Sequence, residues 1–125
     1  MRIALTSVFV HDVAKAFAFY TEVLGFVETL RVPEANLAIV VSPEDPDGTM
    51  LLLEPSDNPI AKQYQQALYA AGLPPIVFGV DDLVAEYSRL TTRGVRFRQP
   101  PTATEAGLVA LIEDGCGNLI QLHQR

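Results

Sequence analysis

Apolar residues fall along this chain in short blocks of changing period, and the order of the blocks repeats once. The opening run RIALTSVFV (residues 2–10) is short and rich in β-formers, and predicts a strand. Val13, Ala16, Phe17, Tyr20, Val23 and Leu24 then recur at steps of three and four, which lays one apolar stripe along a helix. Asp12 suits the N-cap of that helix and Gly25 its stop. FVETLRV and NLAIVVS predict two strands around a PEA turn, PEDPDG a further turn, and TMLLLE a buried strand. A helix is expected over roughly residues 59–71, closed by Gly72 and Pro74.

From residue 75 the order restarts. PIVFGV predicts a strand, and DDLVAEYSRLTTRG a helix capped by Asp81 or Asp82 and stopped by Gly94. VRFRQ predicts a strand, PPTATEAG a loop, LVALIED a strand, GCGN a turn and LIQLHQ the last strand. A shift of 70 places Val10 on Val80, Asp12 on Asp82 and Phe17 on Tyr87; a shift of 67 places Asp47-Gly48 on Asp114-Gly115 and Glu54 on Gln121. Matches in this order, inside the same string of elements, indicate a duplicated βαβββ unit. The expectation is one α+β domain over residues 1–125, with modules at about 1–54 and 75–125 and a bridging helical segment at 55–74.

Composition narrows the function classes. Nearly half the residues, 49%, are apolar, enough for a packed core rather than a disordered chain. A net charge of −6 argues against nucleic acid, whose phosphates call for clustered Lys and Arg. The single Cys116 precludes an internal disulfide and fits a cytoplasmic setting. No apolar run approaches the ~20 residues of a membrane span, and the N-terminus has no cleavage pattern. No nucleic-acid or membrane partner is therefore expected.

HDVAKAFAFYTEVLGF, with Phe19-Tyr20 and Leu24-Gly25-Phe26, resembles the opening signature of the vicinal oxygen chelate superfamily of glyoxalases, bleomycin-resistance proteins and extradiol dioxygenases. EDGCGNLIQL resembles its closing Asp-x-x-Gly-Asn motif, so the resemblance covers essentially the whole chain. It implies two βαβββ modules whose strands curl into an open, mixed-sheet cleft, often completed by dimerisation; a homodimer is the expected assembly. In metal-dependent members, the first and fourth strands of each module provide His, Glu or Gln ligands. Carried over residue by residue, the fourth-strand positions are Glu54 and Gln121. The first-strand positions, seven residues before each cap Asp, are Leu5 and Pro75, neither of which binds a metal. Two oxygen ligands make a poor transition-metal site. His123 shares a strand face with Gln121, but two residues of strand displace it by about 6.5–7 Å.

The expected role of Glu54 and Gln121 is therefore recognition of a polar group on a small ligand, with Leu5 and His123 beside them. A structural hydrogen bond between Glu54 and Gln121 is the competing reading. No cofactor is expected, a divalent metal at Glu54 and Gln121 being the alternative. The function expected is a small-molecule-binding protein whose apolar cleft is lined partly by Leu5, Leu52, Val77 and Leu119. The alternative is an enzyme: a metal-dependent lyase, isomerase or dioxygenase with an atypical site, or a metal-free catalyst with His123 as general base. Arg96 and Arg98 flank Phe97 on a strand and read as a solvated edge or an anion contact. Tyr64 and Tyr69 flank the cleft or pack in the core. Cys116 reads as a packed turn residue.

Overall fold

The computed structural model describes all 125 residues. It contains two four-stranded mixed sheets built on the same plan, and the chain divides within the second helix into units Met1–Gln65 and Gln66–Arg125.

In the first unit, β1 (Leu5–Val10) is followed by α1 (Val13–Ala18), which runs on as a π-helical turn over Phe19–Val23. β2 (Val27–Val32), a 3₁₀ turn at Pro33–Ala35, β3 (Leu37–Val41) and β4 (Met50–Pro55) complete a sheet of order β1-β4-β3-β2. Asp12 caps α1, its carboxylate accepting from the Lys15 N–H at 3.0 Å. The apolar stripe predicts one continuous α-helix, but the last turn is wider: the Leu24 N–H donates to the Phe19 carbonyl. The Thr21 hydroxyl donates to the Phe17 carbonyl at 2.7 Å, a side-chain bond that competes with the regular ladder there. Gly25, at φ 95°, then turns the chain into β2 through a conformation that a Cβ disfavours.

Pairing of β1 with β4 is parallel and assigns the two faces of this sheet. Val8 and Val10 lie with Leu51 and Leu53, and with Ala38 and Val40 of β3, on the face buried with Val13, Ala16 and Tyr20 of the first helical segment. The opposite face carries Leu5, Ser7 and Phe9 of β1, Met50, Leu52 and Glu54 of β4, and Ile39 of β3. It continues onto Leu30 of β2, which pairs with Ile39 after a bulge.

The second unit repeats the plan. β5 (Val77–Gly79), α3 (Leu83–Thr92), β6 (Phe97–Thr104), β7 (Gly107–Glu113) and β8 (Leu119–Gln124) form a sheet of order β5-β8-β7-β6. The connecting helix α2 (Pro59–Ala70) precedes it. Asp82 caps α3 as Asp12 caps α1. Leu83 and Leu90 of α3 are buried, as are Ala110, Ile112, Ile120 and Leu122 on one face of the sheet.

Three boundaries differ from the sequence expectation. β5 is only Val77–Gly79, so Pro75 and Ile76 precede the strand, as a residue without an N–H favours. β1 begins at Leu5 rather than at Arg2. PPTAT, expected as loop, is strand: β6 is an edge, its register irregular between Phe97 and Thr102, and an edge strand accommodates Pro100 and Pro101.

The turn before β8 is locked from inside. Asp114 is buried, and its Oδ1 accepts from the backbone N–H groups of Cys116 at 2.7 Å and Asn118 at 3.0 Å. Its Oδ2 accepts from the Asn118 side-chain amide at 2.8 Å. The Asp-x-x-Gly-Asn motif is thus a carboxylate wrapped by its own turn, with Gly115 and Gly117 at φ 72° and 98° providing the curvature. Cys116 is a packed turn residue here. Asp114→Ala leaves three buried donors without this acceptor and is predicted to cost about 3 kcal/mol in urea unfolding. A loss below about 0.5 kcal/mol would show that the network does not hold the turn.

Candidate functional site

Each sheet has one face buried with its helix, and the sequence-derived candidates lie on the other. On the first sheet, Glu54 is half-buried near the end of β4, opposite Phe9 of β1. Every other side chain that the register assigns to this face is apolar except Ser7, so Glu54 is its one charged group. Within its unit the Glu54 carboxylate makes no hydrogen bond or ion pair. Phe9 is held on two sides. Its ring meets Tyr64 edge-on, with centroids 6.3 Å apart at 82°. Its carbonyl accepts from Gln65 Nε2 at 2.8 Å, a bond from the buried amide of α2.

Leu5 lies on the same face as Glu54 but level with Met50, four residues from the level of Glu54. At strand rise this is about 13 Å, so the two are not neighbours. Phe9, not Leu5, is the β1 side chain beside the carboxylate. Tyr64 is 51% exposed and Tyr69 37%, so neither packs in the core.

On the second sheet, Gln121 lies between Val77 of β5 and Leu111 of β7. His123, on the same face, pairs with Gly79 and Val109. Its Nε2 lies 2.8 Å from the Ala106 carbonyl, an acceptor only, so Nε2 carries the proton and a base role would fall to Nδ1. Val77 is 51% exposed, whereas Leu119 is fully buried and unavailable to a ligand.

Glu113 of β7, Arg98 of β6 and Tyr69 of α2 form a polar cluster. The Tyr69 hydroxyl donates to the Glu113 carboxylate, with oxygens 2.9 and 3.1 Å away, and Arg98 Nη1 donates to Glu113 Oε1 at 2.9 Å. Arg98 also stands 5.6 Å from the Tyr69 ring centroid. The anion contact considered for Arg98 is met by the chain's own Glu113. The hydrogen bond that the phenol donates to the Glu113 carboxylate pushes Tyr69 above the ordinary tyrosine value. The pairing of β6 with β7 brings this cluster together. Thr104 pairs with Gly107 and Thr102 with Val109, so a hairpin turns at Glu105-Ala106; two register shifts then place Phe97 opposite Ile112, with Arg98 beside it near Glu113.

The superfamily's metal can be tested against these donors. The first sheet offers one carboxylate among carbon atoms. The second offers the Gln121 amide, a histidine beside it already bonded to a carbonyl, and Glu113, which Tyr69 and Arg98 already hold. Taken by itself, neither face carries the three or four convergent nitrogen, sulfur or oxygen donors of a transition-metal site.

A sequence model of the Glyoxalase/Bleomycin resistance protein/Dioxygenase superfamily matches residues 2–122. Protein YurT of Bacillus subtilis (strain 168) is 46% identical over 127 residues, covering 100% of both chains. Among solved structures, TnmS3, an antibiotic binding protein from Streptomyces sp. CB03234, is 28% identical, covers 99% of this chain and 95% of its own, and superposes with a TM-score of 0.75. Lactoylglutathione lyase from Agrobacterium tumefaciens has the same fold, at 21% identity and a TM-score of 0.70 over 98% of this chain and 92% of its own.

The Tyr69 cluster gives a signed pH dependence. Because the folded phenol titrates above its unfolded value of 10.0, the bond contributes stability below pH ~10 and loses it as pH rises through the folded value. Glu113→Gln is predicted to bring the Tyr69 titration down toward 10, read by NMR of ring-labelled tyrosine. An unchanged titration would contradict the assignment.

Proposed function

This chain belongs to the Glyoxalase/Bleomycin resistance protein/Dioxygenase superfamily, and on that premise we propose that it is a metal-independent binding protein for an apolar small molecule. The observation that carries this reading is the open face of the first sheet, where Leu5, Phe9, Leu30, Ile39, Met50 and Leu52 surround one half-buried carboxylate. Leu5 is 43% exposed and Leu30 47%, so the face offers carbon surface to a partner. Apolar surface with a single fixed polar group is the usual chemistry of a small-molecule site: burial drives binding and the polar group orients the ligand. On the second sheet, taken by itself, Gln121 and His123 are proposed as the polar contacts of its open face. The resemblance implies that the first-strand ligand positions of metal-dependent members fall at Leu5 and Pro75, neither of which binds a metal.

The relation to TnmS3, an antibiotic binding protein, supports the binding reading. The enzyme reading, a metal-dependent lyase, isomerase or dioxygenase, has less support in the donor chemistry of either sheet. The proposed assembly is a homodimer, because the sheet edge at β2, with Val27 41% exposed, leaves apolar surface and an unpaired strand edge that a second copy would cover. The proposed setting is the cytoplasm, in keeping with one reduced cysteine; no helix is long and apolar enough to cross a membrane.

Sedimentation velocity with Nile red, a neutral apolar probe, tests binding and assembly together. The expected result is a dimer of 13.6 kDa chains that carries saturable dye. Leu52→Asp, which places a second carboxylate on the face, is expected to weaken dye binding by roughly tenfold or more. Dye that stays free of folded protein, or binding indifferent to Leu52→Asp, would contradict the binding face. Monomer alone at micromolar concentration would contradict the dimer.

A further inference from the structure

We propose that Glu54, Phe9 and Tyr64 form a receptor for a cationic nitrogen, so that the ligand is an apolar molecule bearing one protonated amine or quaternary ammonium group. The proposal rests on the binding reading above and specifies its chemistry.

The argument begins with register. Phe9 and Glu54 are partners across adjacent parallel strands, and their side chains project from the same face about 4.8 Å apart. Tyr64, on the first half of α2, stands edge-on to the Phe9 ring. Two aromatic rings and a carboxylate therefore meet at one corner of the sheet. An ammonium group is recognised by this combination, since the ring faces attract it through their quadrupoles and the carboxylate neutralises it. A halide, phosphate or carboxylate ligand would meet the repulsion of the Glu54 carboxylate there.

Charge complementarity selects the cation over a neutral ligand. Glu54 is the one charged group that the register assigns to its face, and it is half-buried among carbon atoms. Covering it with an uncharged apolar ligand would desolvate a carboxylate without compensation, which is costly. No ion pair joins Glu54 to a cation of its own unit. Arg31 lies over the Phe17 ring, 4.6 Å from its centroid, and belongs to the helix-side face through its pairing with Ala38. The corner is also preorganised. The buried Gln65 amide bonds the Phe9 carbonyl, fastening α2 to β1 one residue from Tyr64. A ligand therefore finds the rings already placed rather than having to order them.

The test uses three probes of matched length: 4-phenylbutylamine, 4-phenylbutanol and 4-phenylbutyrate. Binding is followed by amide NMR shifts and calorimetry at pH 7. The expected result is that the amine binds on the order of tenfold more tightly than the alcohol, with shifts centred on Phe9, Glu54 and Tyr64, and that the butyrate binds weakest. Glu54→Gln should bring the amine to the affinity of the alcohol, while Glu54→Asp retains part of the preference. Tyr64→Leu, at an exposed position, should weaken the amine and leave the alcohol nearly unchanged. Equal binding of amine and alcohol, or a preference that survives Glu54→Gln, would overturn the cation receptor but leave the apolar face as a binding surface. Failure of all three probes at millimolar concentration, together with failure of Nile red, would overturn both.

Discussion

The parallel register of β1 against β4 is the constraint from which the candidate site follows. Strand side chains alternate with a period of two, so this register decides which residues of LLLEP face the helix and which face outward. A slip by one residue would bury Leu52 and Glu54 and expose Leu51 and Leu53. Placing a lone carboxylate in the core would be costly enough to exclude that alternative. Leu51 and Leu53 of β4, with Val8 and Val10 of β1, therefore fix the register from the core side. Glu54 beside Phe9 is the consequence on the other side.

The two units show how one architecture distributes charge differently. In the first, the open face retains a carboxylate with no counter-charge in its unit. In the second, the comparable acidic group, Glu113, is bound by Arg98 and Tyr69 and has no charge left to offer. His123 likewise has one nitrogen committed to a backbone carbonyl. Duplication supplied the frame, and local partners determine which polar groups remain open to a ligand.

Much of the frame was legible in the sequence because its signals are local. Asp12 and Asp82 act as caps within three residues of their partners, and Gly25 and Gly94 stop helices through their own positive φ. The repeat follows from those punctuation marks. What was not legible depends on pairing between distant residues. Phe9 meets Glu54 across an offset of 45 residues that no local pattern encodes, so Leu5 was placed beside the carboxylate instead. Carbon on both faces of β4 gives no alternation to read. Pro100 and Pro101 concealed the extension of β6 through Thr104, because proline argues against a strand unless its edge position is known.

The central claim is that the polar groups of these open faces serve a ligand and not a metal. Calorimetric titration of the purified protein with zinc, nickel and cobalt tests it most directly. The account predicts no tight one-to-one binding, because Glu54 among carbon neighbours leaves a metal most of its water. Tight one-to-one binding by the unaltered protein, abolished by Glu54→Ala, would contradict it.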